Sequence, residues 1–171
     1  MDVMTYIRDQ VEAAHCELET AIKDTTADQF NWSPPGTISP ISAILIHALA
    51  GEDLFIQEIL QGKPHLWDTG GWAQRIGVPS APDGPDLSVW EAYRNIRVPI
   101  EPVLEFQVEI YAGTNAYLAT LTVEDLDQQV NFFGRQAPTA DILMITVTHL
   151  CCHAGEIAAL KGMQGARGLP Y

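Results

Sequence analysis

Nothing in this chain supplies the covalent framework of a small secreted domain. Cysteine occurs only at Cys16, Cys151 and Cys152, an odd number, and the two neighbours would leave a helix in different directions, which excludes a disulfide framework and points to a reducing compartment. Cations are scarce. Nine Lys and Arg face 22 Asp and Glu, for a formal charge of -13, so phosphate backbones and anionic lipid are repelled and the usual driver of nucleic-acid or membrane-surface binding is lacking. Solubility is the plainest reading of that charge. No uncharged apolar run reaches the roughly 18 residues a membrane span needs, so none is expected. Met1 to Gln10 carries Asp2, Arg8 and Asp9 and lacks the apolar stretch and cleavage site of a secretory signal, so a cytoplasmic protein is expected. There is no G-x-S-x-G, no phosphate-cradling G-x-x-x-x-G-K and no C-x-x-C pair, which disfavours hydride and phosphoryl transfer. Internal repeats and low-complexity stretches are also missing.

What is present is enough apolar material for one core. The 171 residues are 47% apolar, the size of a single domain spanning 1–171 that buries roughly two thirds of its unfolded surface. Val3, Ile7, Val11, Ala14, Leu18 and Ile22 recur every three or four residues and predict a first helix ending near Asp24. Phe30 to Thr37, with Pro34, Pro35 and Gly36, reads as a loop. A second helix is expected to open with Ser39 as its cap and Pro40 at the first helical position, and to run to about Gln61 before Gly62 and Pro64 stop it. Lys63 to Asp86 holds four prolines, several glycines and two tryptophans without a period, so a long ordered loop able to cover a pocket is expected. Ser88 and Glu91 have capping-box spacing and open a third helix reaching Leu121, kinked at Pro99 and Pro102. Thr122 to Leu126 reads as a capped turn and Asn131 to Pro138 as a connection; the last helix runs from Thr139 to about Gly162. Four long helical segments and no convincing strand predict an all-α four-helix bundle.

The middle of the last helix, Ile142 to Leu160, is apolar on nearly every side, as in an element buried by several neighbours. Its polar exceptions cluster. At about 100 degrees per residue, His149, His153 and Glu156 fall within roughly 60 degrees of one another. An i, i+4 histidine pair lets two nitrogens converge on one ion at about 2.0–2.1 Å; alone, H-x-x-x-H is more often an accident of spacing, and burial is what shifts the balance. His47, inside the apolar run Ile41 to Leu49, offers a third ligand, with small residues Ala43 and Gly51 one turn either side leaving room beside the ring. Taken singly His47 reads equally well as a hydrogen-bonded core histidine; three histidines in apolar helix interiors favour a shared metal. His15, among Glu12, Glu17 and Glu19, reads as solvated, and His65 as a loop residue outside the site.

His47 in a second helix, the His149 and His153 pair in a fourth, and the tail Gly155-Glu156-Ile157-Ala158-Ala159-Leu160 through Gly168-Leu169-Pro170-Tyr171 resemble the DinB (damage-inducible) superfamily. So do Phe30-Asn31-Trp32-Ser33-Pro34, His47-Ala48-Leu49-Ala50-Gly51-Glu52 and Leu121-Thr122-Val123-Glu124-Asp125-Leu126. The resemblance implies a four-helix bundle with an up-down-down-up path, a homodimer, and a three-histidine metal site open at one end, with His47, His149 and His153 at the ligand positions. It implies zinc or nickel as the ion, and among relatives with known activity, metal-dependent transferases using low-molecular-weight thiols such as bacillithiol or mycothiol. The long Lys63 to Asp86 connection and the two third-helix prolines depart from the compact pattern.

Three imidazoles leave a coordination position free, as catalytic rather than structural sites do, and a cation there makes bound water or thiol a stronger acid. A metal-dependent enzyme activating a thiol or water on a small-molecule substrate is therefore expected, of the thiol S-transferase or hydrolase kind. Glu156 is placed to accept a ring proton from His153, to act as a base, or to ligate, the first being preferred; its bland reading is a carboxylate bonded to another helix or to solvent. Cys151 is expected in the core and Cys152 in packing. Trp67, Trp72, Trp90 and Phe55 would suit a substrate lining, though such aromatics are more often core. The competing class is a non-catalytic metal- or small-molecule-binding stress protein. A metal-free dimerisation bundle would instead leave the three histidines far apart.

Overall fold

The structure, a computed structural model, describes residues 1–82 and 86–170. Residues 83–85 of the long connection and Tyr171 of the tail lie outside the described residues. Helix α1 (Val3–Ile22) starts where the Asp2 carboxylate accepts from the Thr5 amide at 2.9 Å, satisfying one of the unpaired donors of the first turn. Its apolar stripe, Val11, Ala14, Leu18 and Ala21, is fully buried. After it, α2 (Ala27–Asn31) is a single turn closed by a capping box between Thr26 and Gln29. The expected loop thus begins only after Asn31. Local capping made a helix there that apolar periodicity could not announce.

Helix α3 (Ile41–Asp53) is the centre of the molecule, with every residue buried except His47, which is half-buried. Its start differs from expectation. Pro40, not Ser39, is the N-cap, no side chain caps the helix, and the Pro40 carbonyl takes the amides of Ala43 and Ile44. Beyond Asp53 the chain continues as a π-helical segment, Leu54–Leu60, rather than as α-helix to Gln61, and ends before Gly62 at a positive φ of 63°.

The long connection is built rather than bare. It contains α4 (Leu66–Thr69) and α5 (Trp72–Ile76), and the buried Asp53 carboxylate pins it down by accepting from the amides of Leu66 and Trp67 at 3.0 and 2.8 Å. Burial pushes the Asp53 carboxyl above its usual range against those two hydrogen bonds. Helix α6 (Leu87–Tyr93) is capped by Asp86, which accepts from the Ser88 amide, so Ser88 is not the cap.

The expected single kinked helix is two helices. Arg94 to Pro99 separates α6 from α7 (Ile100–Thr120), with Pro99 as N-cap and Pro102 in the first turn. A first-turn amide has no intrahelical acceptor, so proline there breaks nothing.

A short 3-10 turn (Glu124–Asp127) follows, with Asp125 accepting from the Thr122 amide and hydroxyl. The expected connection at Asn131 to Pro138 is instead most of a hairpin. Strands β1 (Gln129–Phe132) and β2 (Arg135–Pro138) pair antiparallel, with Phe132 opposite Arg135. Phe133 and Gly134 both have positive φ, 50° and 85°, the backbone of a tight two-residue hairpin turn. The protein is therefore mostly helical with one small sheet, not purely α. Polar, largely exposed strands of four residues carry no alternation to read; only Phe132 and Ala137 turn inward, onto Phe55 and Ile142.

Helix α8 (Thr139–Met163) closes the fold against α1 and α3, while α3 also packs on α7. Leu18, Leu45, Leu49, Phe106, Leu150 and Ile157 meet in the shared core. Among the described residues, α8 is the one helix long and apolar enough to cross a membrane by length and composition. Its burial is less complete than expected: Met144 and Met163 are exposed, and so are Cys151 and Cys152, which are not core or packing residues. Neighbours cover one side of the helix only.

Asn31 ties α2 to the break before α7. Its amide nitrogen donates to the Val98 carbonyl at 3.0 Å and its oxygen accepts from the Val98 amide at 2.7 Å. Replacing Asn31 by Ala leaves two partly buried backbone groups unpaired, and urea denaturation should show about 1–3 kcal/mol lost.

Candidate metal centre

Two helices bring the histidines together. His47 projects from α3, and His149 and His153 lie one turn apart on α8. The helices approach closely because position 51 has no side chain. A Cβ on Gly51 would lie 2.5 Å from Cε1 of His149, inside any allowed contact, so the His149 ring occupies the space that a side chain would fill. Small residues were expected to make room beside His47; the room at Gly51 is in fact taken by His149.

The ring nitrogens point inward. Nε2 of His149 is 3.3 Å from Nε2 of His47 and 3.1 Å from Nε2 of His153, and the three candidate ligand atoms lie within 4.8 Å of one another. The rings meet edge to face, with centroids 4.4–5.0 Å apart. A metal-free bundle with distant histidines does not describe this arrangement.

Outer partners fix two of the tautomers. Nδ1 of His47 is 2.6 Å from the Pro82 carbonyl oxygen, and a carbonyl can only accept, so Nδ1 carries the proton and Nε2 presents a lone pair. Nδ1 of His153 is 2.8 Å from Glu156 Oε2, and the carboxylate fixes the same tautomer. Nδ1 of His149 is buried with no partner. The Nε2 atoms of His47 and His153 thus both face Nε2 of His149. Nitrogens held about 2.0–2.1 Å from one ion in tetrahedral geometry stand about 3.3 Å apart, which the two spacings to His149 match. The donor set fits a divalent cation.

Of the other residues singled out from sequence, Trp90 and Phe55 border the cluster, with ring centroids 4.9 Å from His47 and 5.6 Å from His149. Trp67 and Trp72 do not; both pack on Phe106 in the core. His65 stands apart, paired with Glu58. His15 is not solvated. It is 3% exposed, stacked on Tyr111 at 3.5 Å, with Nε2 2.8 Å from Glu52 Oε1, which also accepts from Thr114 Oγ1. Its partners come from α3 and α7, and the acidic residues beside it in sequence say nothing about them. Sequence reasoning also missed Pro82, whose contribution is a backbone carbonyl and leaves no side-chain signal.

Burial, with His153 and then His47 as like-charged neighbours, depresses the His149 pKa from 6.5 to about 3. Between those values the unfolded, metal-free chain binds a proton here that the folded chain does not. The stability contributed is complete above pH 6.5 and is lost as pH falls toward 3. Urea denaturation of chelator-treated protein should show His149→Gln flattening this acid-side slope, by up to about 1.4 kcal/mol per pH unit.

A solved structure, described as the conserved protein of locus from Enterococcus faecalis, superposes with a TM-score of 0.78 at 17% identity, covering 94% of this chain and 96% of that one. That likeness speaks to fold alone. No curated protein matches this chain. The model of the DinB superfamily matches residues 10–157, a span that contains the three histidines. By that match, the chain belongs to the DinB superfamily.

Proposed function

We propose that this protein holds a divalent metal ion on Nε2 of His47, His149 and His153 and works as a metal-dependent enzyme of the thiol S-transferase or hydrolase kind. The observation that carries the reading is the convergence of three Nε2 atoms while two of the opposite ring nitrogens are turned to fixed acceptors. Such acceptors fix ring orientation and raise ligand basicity in histidine metal sites. Among the described residues the candidate ligand group contains only these three side chains, which leaves a position for substrate. A divalent cation bound there would supply a nucleophile near neutral pH by making water or a thiol more acidic.

The chain's own residues have separable tasks in this reading. Pro82 and Glu156 hold protons on His47 Nδ1 and His153 Nδ1, keeping both Nε2 lone pairs directed inward. Glu156, more than half exposed, is also within reach of solvent and can pass a proton between it and the site. Zinc or nickel suits an all-imidazole set. The family reading further proposes an up-down-down-up path for the four long helices, a cytoplasmic homodimer and a low-molecular-weight thiol as co-substrate.

Elemental analysis of tag-free protein tests the site directly. Near-stoichiometric zinc or nickel is expected in the wild type and none in the His149→Ala, His153→Ala double variant; a metal-free wild type after reconstitution would refute the proposal. Glu156→Ala should retain the ion but weaken zinc affinity about 10–100-fold in a competitive chelator titration.

A further inference from the structure

A groove of about 480 Å³ begins at His153 and runs beside α8 toward its C-terminal end, within the range of about 300–1,000 Å³ typical of small-molecule sites. Trp90, Ile44, Leu160 and Met163 make its walls, and Glu156 stands at the metal-site end. Trp90 joins the two features, because the same indole also packs against His47. No Lys or Arg is among the described residues lining this groove. The nearby Arg94 does not compensate, because its guanidinium donates to the carbonyls of Pro34 and Ile38. Among the described residues lining it, the one Asp, Glu, Lys or Arg side chain is therefore a carboxylate, in a chain of net charge -13.

We infer that this groove selects an uncharged, mainly apolar small molecule carrying one terminal donor atom toward the three histidines, and discriminates against anionic ligands, carboxylate-bearing thiols included. The inference rests on the metal-site reading and narrows it. An anion entering the groove would give up hydration without meeting a compensating cation, and would approach Glu156 at the end where its donor must go. An apolar body instead gains by leaving water against Trp90, Ile44 and Leu160. Acidic thiol co-substrates common among small cellular thiols are disfavoured here by the same argument.

The test uses the full, tag-free chain loaded with cobalt(II), whose visible absorption reports the occupied site before any ligand is added and changes when a ligand reaches it. Phenylmethanethiol is titrated against its para-carboxylate derivative, with the para-carboxamide as an uncharged control of the same size. Phenylmethanethiol and the carboxamide should half-saturate at concentrations about tenfold or more below the carboxylate, a difference of about 1.4 kcal/mol. Met163→Lys places an ammonium on the exposed wall and should bring the carboxylate close to parity without altering the cobalt spectrum of the ligand-free protein. Equal or tighter binding of the carboxylate by the wild type overturns the inference, as does a preference that Met163→Lys leaves untouched. Absence of the cobalt bands before any thiol is added would be a different failure, that of the metal site itself, and the groove assignment would fall with it.

Discussion

The close approach of α3 and α8 at Gly51 is the contact on which the site depends. With hydrogen in place of a side chain, the His149 ring can settle against the α3 backbone, and the His153 ring lies 4.8 Å from that of His47. Interiors are packed too densely to absorb an added methyl at 2.5 Å from a ring carbon. Two helices distant in sequence are therefore held in one register by a missing side chain as much as by the apolar contacts around it.

The molecule treats its buried imidazoles in two ways. His15 is closed off: Tyr111 covers its face, and its Nε2 meets Glu52 Oε1, which also accepts from Thr114 Oγ1. This ties α1, α3 and α7 together inside the core. The other cluster has its outer nitrogens bonded at His47 and His153, while the inner ones face one another 3.1–3.3 Å apart across His149. Nδ1 of His149, buried with no partner, is a cost to this arrangement. The first arrangement ties helices together, and the second gathers three ring nitrogens that could hold one ion.

The extent to which this was legible in the sequence follows from the range of the forces involved. Helices α1, α3 and α8 were readable because apolar residues at three- and four-residue spacing are a local consequence of burying one face. The trio was readable for a related reason: histidine is rare in apolar helix interiors, and 149 and 153 share a face by arithmetic alone. The hairpin was not readable, since its strands are short and mostly exposed and its determining feature is the positive φ at Phe133 and Gly134. Nor was the break before α7, because prolines at the start of a new helix and at a kink in an old one look alike. Cys151 and Cys152 were misplaced by treating the apolar character of α8 as burial on all sides, when neighbours cover only part of it.

The sequence by itself determined a mostly helical chain, the helix faces that must be buried, and the three imidazoles available to share one ion. All of these follow from covalent spacing along a helix and from side-chain chemistry. Only the tertiary structure decided that Pro82 would orient His47, that Glu52 would draw His15 inward, and that an apolar groove would open beside His153. The physical reason is that hydrogen bonds to backbone carbonyls, buried polar pairings and the shape of a cavity depend on which distant segments meet. That choice is settled by packing the whole core at once, and no local spacing records it.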